Sequence, residues 1–390
     1  MTASRQSSAA ALAEWYRQGY CADSPPTVGL EEELIVVESD SLQPVESVDP
    51  ILGALGDNMF VPEFRTAQLE IVIPPRLTIA DLARELAFAR GRVVEAAQGM
   101  TRVFAAGTHP CSTRPVRVTN LPRYRRIASE CPCATRRGLP SGLHVHIAIA
   151  DADAALAIHN ACRTWLPVLT AIAANSPFSD GSDSGLASAR LKLTEDLPRS
   201  GIPPAFESWL DLAAFVSWGA HGGLFPDMSY LWWDLRLRPE YGTLEFRFAD
   251  AQTTVDASAA VAAMCQTLVA SLRAQLDAGM QLPILPTHVL AENRWRAIRD
   301  GLDAVLVDPV TGVAEQVRDM LTRLLLELEP YAIEASCVDE LAGAWLLLAE
   351  NGAVRQRTVA KTAGIDDLLR LLVEETERPT LRYSRPLITP

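Results

Sequence analysis

Three consecutive carboxylates, Glu31, Glu32 and Glu33, lie inside the apolar run of residues 27–37. Side chains alternate between the two faces of a β-strand, so Glu31 and Glu33 are expected on one face and Glu32 on the other. Two carboxylates on one face repel each other unless a cation lies between them, and oxygen ligands suit Mg²⁺ or Mn²⁺. The alternative is an edge strand whose charges face solvent and protect that edge.

Two further segments carry side chains that could complete a metal site. Glu70 lies among apolar residues in the alternating segment 68–73, and a carboxylate in such surroundings requires a cation, so it is a candidate third acid. In residues 141–149, alternation places His144 and His146 on one face, where two imidazoles can bind a metal or a phosphate. The alternative is that both are ordinary histidines of the core or the surface.

Arginines and acids alternate in residues 230–250, where two strand-like runs on either side of a turn predict a β-hairpin. Arg236 and Arg238 share a face of the first strand, and Glu245 and Arg247 share a face of the second. This charged face is either a ladder of cross-strand ion pairs or a site for a metal-bound nucleotide.

Other arginines lie in segments rich in turn residues. Arg190 comes after the glycine-rich loop of residues 179–185, and such loops often carry function, although Ser, Asp and Gly also form plain turns. Residues 114–137 contain a cluster of arginines opposed only by Glu130. Guanidinium groups offer planar forks of donors, so the cluster is either a clamp for phosphate or carboxylate or a solvated loop. Its members are Arg114, Arg117, Arg123, Arg125, Arg126, Arg136 and Arg137.

Length and composition describe an ordinary folded protein. The chain has 390 residues, and its net charge of −13 disfavours a nucleic acid or an anionic membrane as the main partner. Its 7 cysteines, an odd number without a secretory signal, predict reduced thiols in the cytoplasm. Neither the Cys131-Pro132-Cys133 segment nor His109, which precedes a proline, is expected to bind a metal.

Strands predicted in the first part of the chain must position these side chains, and helices must support them. From residue 254 onward the pattern is helical, with helices expected at residues 254–279, 289–301, 313–329, 334–350 and 364–376. No long polar linker divides the chain, which predicts a tail at residues 1–26, one domain at residues 27–378 with a helical C-terminal layer, and a tail at residues 379–390. The first tail is expected to be loosely ordered or to form a docking helix.

Seven motifs follow one another along the chain: Gly29-Leu30-Glu31-Glu32-Glu33, Gly107-Thr108-His109-Pro110, Gly142-Leu143-His144-Val145-His146, Ala174-Asn175-Ser176-Pro177-Phe178 with Ser188-Ala189-Arg190, Trp232-Trp233-Asp234-Leu235-Arg236, Gly242-Thr243-Leu244-Glu245-Phe246-Arg247 and Glu292-Asn293-Arg294-Trp295-Arg296-Ala297. In this order they resemble the carboxylate-amine ligases of the type 2 glutamate-cysteine ligase family. The resemblance extends over residues 27–376, and an ordered set of motifs is more specific than any one of them.

The resemblance implies a glutamine synthetase-like α+β fold, in which a curved, mainly antiparallel sheet packed with helices forms the floor of the active site. It implies an enzyme that uses ATP and Mg²⁺, with Mn²⁺ as the alternative ion, to join a carboxylate such as the γ-carboxylate of glutamate to an amine. Subunits of such ligases commonly pair, so a homo-oligomer without nucleic-acid or membrane partners is expected. The implied metal ligands are Glu31, Glu33, Glu70, His144 and Glu245; Arg247, Arg190 and Arg236 are the implied nucleotide contacts, and Arg247, Glu31 and Glu245 the catalytic group.

The sequence departs from the family pattern after Glu70, where Ile71-Val72-Ile73-Pro74-Pro75 lacks the Thr that usually follows the acid. The arginine cluster of residues 114–137 is also individual. Both differences bear on substrate identity. Two other hypotheses stay open from the residues alone: a metal-dependent hydrolase that uses the same acids and histidine, and a non-catalytic paralogue that binds a nucleotide or an amino acid.

Overall fold

A computed structural model of the chain describes residues 3–20, 25–97, 99, 101–112, 114–135 and 138–378. Within these ranges the strands are β1 Val28–Glu38, β2 Phe60–Pro62, β3 Gln68–Arg76, β4 Thr101–Phe104, β5 Gly142–Ala148, β6 Phe178–Ser179, β7 Ser182–Asp183, β8 Leu235–Arg238, β9 Thr243–Asp250, β10 Val305–Val307 and β11 Ala314–Gln316. The helices are α1 Ala3–Gln18, α2 Val48–Leu55, α3 Ile79–Ala96, α4 Pro122–Glu130, α5 Ala152–Ile172, α6 Ala189–Thr194, α7 Trp209–His221, α8 Val255–Asp277, α9 Thr287–Asp300, α10 Val317–Glu334, α11 Val338–Ala349, α12 Gly352–Ala363 and α13 Ile365–Thr376.

One seven-stranded sheet organises the fold, with the strand order β2-β3-β1-β5-β9-β8 and β4 paired to the far end of β1. Its neighbouring strands are antiparallel. The predicted α+β fold with a mainly antiparallel sheet is therefore confirmed. Strand β1 pairs with β3, β4 and β5, so the edge-strand alternative for the Glu31–Glu33 segment is wrong.

A buried ion pair fixes the back of β1 to two helices. Glu32 points away from Glu31 and Glu33, and its carboxylate accepts two hydrogen bonds of 2.7 Å from Arg90 on α3. Ser258 on α8 donates a third hydrogen bond of 2.8 Å to Glu32. Both charged side chains are 0% exposed, and Arg90 also donates to the carbonyls of Gln252 and Thr253. The charged groups behind the sheet are thus neutralised and hydrogen-bonded, as burial requires.

Helices pack against the sheet, and further helices pack against these. Helices α3 and α8 pack behind β1, α5 packs against β8 and β9, and α10 and α11 pack on α8. Helix α8 is long and apolar enough to cross a membrane by length and composition, but 83% of its most apolar window is buried inside the protein. Burial by the other helices accounts for this composition, as in a core helix.

Residues 3–18 of the predicted N-terminal tail form α1, which packs against α7. Beyond it, the Tyr20 hydroxyl donates a hydrogen bond of 3.0 Å to the Thr243 carbonyl at the start of β9. Residues 379–390, the predicted C-terminal tail, lie outside the described residues. The division into tail, domain and tail stays a prediction.

The helical prediction for the second half is wrong in one place and omits one helix. Residues 305–307 and 314–316 form the hairpin of β10 and β11, and residues 352–363 form α12, which the sequence pattern did not indicate. Helix α12 buries only Ala353 and Gln356 among its described side chains, so it has no apolar stripe for periodicity to detect. Helix α4 was likewise missed within the arginine-rich segment.

We expect Arg90→Met to lower the free energy of unfolding by about 3–5 kcal/mol, because it leaves the Glu32 carboxylate buried without its partner. Arg84→Met on the same helix removes an exposed ion pair with Asp81 and should change it by at most about 1 kcal/mol. Denaturant unfolding followed by circular dichroism measures both. Equal effects of the two substitutions would contradict the assigned role of the buried pair.

Candidate active site

The register of the sheet places the predicted site residues in one row across five strands. Opposite β1, Glu31 pairs with His144 on β5, and Glu33 pairs with Glu70 on β3. Further along the row, His146 pairs with Glu245 on β9, which pairs with Arg236 on β8. Directly opposed residues share a face, so these acids, imidazoles and arginines lie together on the front of the sheet.

A cavity of about 350 Å³ lies over this face. Seven of the eight predicted site residues line it, and the eighth, Glu245, is fully buried and ion-paired to lining arginines. A larger groove of about 660 Å³ lies between α1 and α7, but its walls are mainly apolar. The predicted residues in the smaller cavity are Glu31, Glu33, Glu70, His144, Arg190, Arg236 and Arg247.

Glu31 lies at the centre of two groups of possible metal ligands. Its carboxylate is 3.0 Å from Nδ1 of His144 and 3.4 Å from Nε2 of His146. Ligand atoms of Glu31, Glu70 and His144 lie within 4.8 Å of one another, and so do those of Glu31, His146 and Glu245. One carboxylate can therefore contribute to either group.

The pKa values of this row show how strongly burial and neighbouring acids disfavour the charged form of its carboxylates. Burial, reinforced by Glu63, raises the pKa of Glu33 to about 8. Burial also raises the pKa of Glu70 well above its usual value, with repulsion from Glu31 and Glu63 adding to the effect. For His144, burial and the nearby Arg247 lower the pKa to about 4, so its imidazole is neutral and can act as a ligand.

The donor set fits a divalent cation. The Nε2 atoms of His144 and His146 are buried without a hydrogen-bond partner among the described residues, an arrangement that is costly unless a ligand completes it. Carboxylate oxygens dominate the surroundings, which suits Mg²⁺ or Mn²⁺. A cation there would also favour the charged carboxylates of Glu33 and Glu70, whose pKa values are raised by burial and, to a lesser extent, by repulsion.

Glu245 is the counter-ion of three arginines. Arg236 donates to its two oxygens at 2.7 and 2.9 Å, Arg238 donates at 3.1 Å, and Arg247 forms a further ion pair. Burial alone would raise the pKa of Glu245, but these guanidinium groups hold it well below the usual value. The hairpin is therefore an ion-pair ladder, and the arginines compete for the oxygens that a metal would use.

Arg190 reaches the same floor from the first turn of α6. Its guanidinium donates to the Arg247 carbonyl at 3.2 and 3.3 Å and lies against the backbone of Gly142. A Cβ atom at Gly142 would lie 2.2 Å from Nη2 of Arg190, so any larger residue there would displace this guanidinium. Its own backbone N–H donates to Glu33 at 2.7 Å. Gly142 therefore brings a guanidinium and an acid of the site into proximity.

Sequence reasoning omitted several cavity residues. Glu63 follows β2 on the same face as Val61, which pairs with Glu70, and its carboxylate accepts a hydrogen bond of 3.0 Å from the Tyr124 hydroxyl. Alternation continued from Val61 would have indicated Glu63, whereas Tyr124 comes from the unpredicted α4. His146 was noted in the His-x-His pattern but left out of the ligand set, although it contacts Glu31.

Among the described arginines of residues 114–137, Arg123 alone lines the cavity. Arg114, Arg117 and Arg126 form ion pairs with acids at the surface, so most of the cluster is a solvated face. Arg136 and Arg137 lie outside the described residues. His109 is buried and bonded to the Leu42 carbonyl, away from the cavity lining, and Cys131 and Cys133 are free thiols.

Comparisons with known proteins agree with this geometry. The model of a protein family described as glutamate-cysteine ligase family 2 matches residues 27–377. A Rubrobacter xylanophilus protein assigned as glutamate-cysteine ligase 2-1 is 34% identical over 365 residues, which cover 91% of this chain and 96% of that protein.

Two solved structures share the fold. A crystal structure of glutamate-cysteine ligase from Francisella tularensis in complex with AMP matches with a TM-score of 0.66 at 13% identity, covering 94% of this chain and 91% of that one. A bifunctional glutathione synthetase from Pasteurella multocida matches with a TM-score of 0.65 at 14% identity, covering 94% of this chain and 53% of that one.

We expect Mn²⁺, used as a probe, to bind the purified protein and to raise its melting temperature, because a ligand of the native state stabilises it by about 2.7 kcal/mol at roughly 100 times Kd. Glu31→Gln should weaken binding at least about tenfold, since this carboxylate belongs to both ligand groups. Glu38→Gln, at the exposed end of the same strand, is the control and should bind as the wild type does. Titration calorimetry and Mn²⁺ paramagnetic resonance give the affinities, and equal binding by both variants would remove Glu31 from the site.

Proposed function

The chain belongs to glutamate-cysteine ligase family 2, and from that premise we propose that it is an ATP- and Mg²⁺-dependent ligase that joins the γ-carboxylate of glutamate to an amine. The products would be an amide, ADP and phosphate. The observation that carries the proposal is the single row of acids, imidazole and arginines in one cavity, which answers the main difficulty of this reaction. Two anions, a carboxylate and the terminal phosphate of ATP, must come into contact.

The proposed chemistry has two steps. An oxygen of the carboxylate attacks the γ-phosphorus of ATP, the bond from phosphorus to the bridging oxygen breaks, and ADP leaves. The amine nitrogen then attacks the acyl carbon, phosphate departs with the bonding electron pair, and the nitrogen loses a proton. Neither step needs a nucleophilic side chain of the protein, so its contribution is positioning and charge stabilisation.

We assign the acids to the cation and the arginines to the anions. Glu31, Glu33, Glu70 and His144 would hold Mg²⁺, which when bound would offset the negative charge of the terminal phosphates. Arg247 and Arg190 lie beside these acids on the floor and would contact the transferring phosphoryl group, with Arg236 held close by Glu245. Glu245 keeps three guanidinium groups in fixed positions, which reduces the reorganisation needed during the reaction.

Arg123 is our candidate for the residue that binds the amino-acid substrate. Arg236, Arg238 and Arg247 share the charge of Glu245, whereas Arg123 donates to the hydroxyl and carbonyl of Ser229, both at 2.9 Å, which are neutral partners. It lies at the exposed side of the cavity. We therefore propose that Arg123 recognises the carboxylate of the amino acid that does not react.

Family membership does not favour the hydrolase or the non-catalytic paralogue. The amine stays open, and the cytoplasmic location and the homo-oligomer stay predictions. The most informative experiment is a screen of ADP release with glutamate and other acids against a panel of amines that includes cysteine, with mass detection of the amide. We expect ADP release to require both acid and amine; hydrolysis of ATP or of an amide by metal alone would indicate the hydrolase instead.

In that assay, Glu31→Gln should lower kcat by about 100-fold or more, because it removes the carboxylate common to both ligand groups. Glu38→Gln again serves as the control. Glu245→Gln is a less informative variant, since it also leaves three arginines without their counter-ion. Turnover of Glu31→Gln at the wild-type rate would exclude Glu31 from the catalytic group.

Arg123→Gln should raise KM for the acid substrate by about 10- to 100-fold while KM for ATP changes little, because a charge-assisted pair with the carboxylate is lost. Arg125→Gln on the same helix removes an exposed guanidinium that bonds to Asn120, and it should leave both constants unchanged. Steady-state kinetics with each substrate varied in turn distinguishes these outcomes. A rise in KM for ATP instead would assign Arg123 to the nucleotide.

A further inference from the structure

The last residue of β9 is a buried acid that the reaction proposed above does not use. Asp250 is 1% exposed, and its carboxylate accepts hydrogen bonds from three neutral donors. These are the backbone N–H of Asn175 at 2.7 Å, the Ser176 hydroxyl at 2.7 Å and the Ser188 hydroxyl at 2.8 Å. A buried carboxylate without an ion pair among the described residues is costly, which suggests that its charge has a purpose.

The three donors belong to the two ends of the loop that leads into α6, the helix that carries Arg190. The Ser176 hydroxyl, which donates to Asp250, also accepts a hydrogen bond of 3.1 Å from the backbone N–H of Arg190. Ser188 lies two residues before Arg190, at the start of α6. The Arg190 guanidinium then returns to β9, where it donates to the carbonyls of Arg247 and Phe248. Loop and strand therefore form a closed ring of hydrogen bonds.

Close packing leaves this ring little freedom. A Cβ atom at Gly107 would lie 2.4 Å from Cγ of Asp250 and 2.7 Å from the Ser176 hydroxyl. At Gly352 on α12, it would lie 1.9 Å from the side-chain oxygen of Asn175. Behind the loop, Gln356 of α12 donates to both the carbonyl and the side-chain oxygen of Asn175 at 2.8 Å. The backbone on each side approaches too closely for any larger residue.

Arg190 in turn has a donor to spare. Its Nε atom is buried without a hydrogen-bond partner among the described residues, and its side chain lines the cavity. Burial raises the pKa of Asp250, and the nearby positive charge of Arg190 opposes that change, so the two side chains interact electrostatically as well as through Ser176. The carboxylate thus acts on a guanidinium that it does not touch.

On the premise of the ligase function proposed above, we propose that Asp250 is a positioning residue. Through Ser176 and Ser188 it holds the loop of Arg190 against β9, so that Arg190 faces the transferring phosphoryl group. The ionised carboxylate accepts all three hydrogen bonds at once, which an amide of the same size cannot do because one of its two polar atoms is a donor. Asp250 therefore contributes to catalysis only through Arg190.

A double-mutant cycle tests this coupling. Asp250→Asn and Arg190→Lys should each lower kcat/KM for ATP by about 10- to 100-fold, and the double variant should be no worse than the more severe single variant. If Asp250 merely stabilised the fold, the losses in kcat/KM of the two single variants would multiply in the double variant. Multiplying effects, or an Asp250→Asn variant with wild-type kinetics, would overturn the proposal.

Asp308→Asn is the matched control. Asp308 is also fully buried and accepts backbone hydrogen bonds, but it lies in the β10–β11 turn beside Arg323 and is not among the residues that line the cavity. We expect it to lower the melting temperature without changing kcat/KM. If Asp250→Asn does not fold, Ser188→Ala is the substitute, because it removes one of the three hydrogen bonds to Asp250. It should lower kcat/KM for ATP several-fold in the wild-type protein and cause no further loss in the Arg190→Lys variant. A wild-type protein without ATP-dependent amide formation would instead refute the proposed function and not this coupling.

Discussion

The buried ion pair between Glu32 and Arg90 is the constraint on which the site depends. Glu32 is the middle residue of three acids, and a strand can hide it behind the sheet only by presenting Glu31 and Glu33 at the front. A slip of one residue would bring Glu31 or Glu33 opposite Arg90 and force the other acid into the apolar layer behind the sheet, where Leu30 and Leu34 now lie. The helices α3 and α8, which bind Glu32 from behind, therefore determine the register of every cross-strand pair in the cavity.

On the front of the sheet, one acid pairs with three arginines, and the other acids do not. Glu245 neutralises three guanidinium groups, whereas burial raises the pKa of Glu33, Glu63 and Glu70, and repulsion between acids adds to the effect at Glu33 and Glu70. The three guanidinium groups around Glu245 are thus paired and fixed, whereas Glu33, Glu63 and Glu70 form no ion pair with an arginine among the described residues. Such a cavity favours a cation beside bound anions, which is the combination that a metal–nucleotide complex provides.

The sequence predicted this row well because a strand has the simplest periodicity, and alternation alone places Glu31, Glu33, His144 and Arg236 on known faces. It could not predict contacts made through the backbone. Arg190 is held by the carbonyl of Arg247, and its close approach to Gly142 depends on two segments distant in sequence. Glu63 was missed because it lies just beyond a short strand, and Arg123 was named only as one member of the arginine cluster because its helix has little apolar surface. The polar α12, which supports Asn175, gave no signal for the same reason.

The central place of β1 has a consequence for how the chain folds. Its partner β5 pairs in turn with β9, so the ribosome synthesises the apolar segment 28–37 long before residues 243–250 exist to complete the sheet. Non-local pairing of this kind is slow, and until it is complete the apolar strand is unpaired and prone to aggregate. The three successive carboxylates discourage that strand from joining others of its kind in the meantime, as charges do at aggregation-prone segments. The acids that later gather in the cavity would thus also protect the polypeptide during its own synthesis.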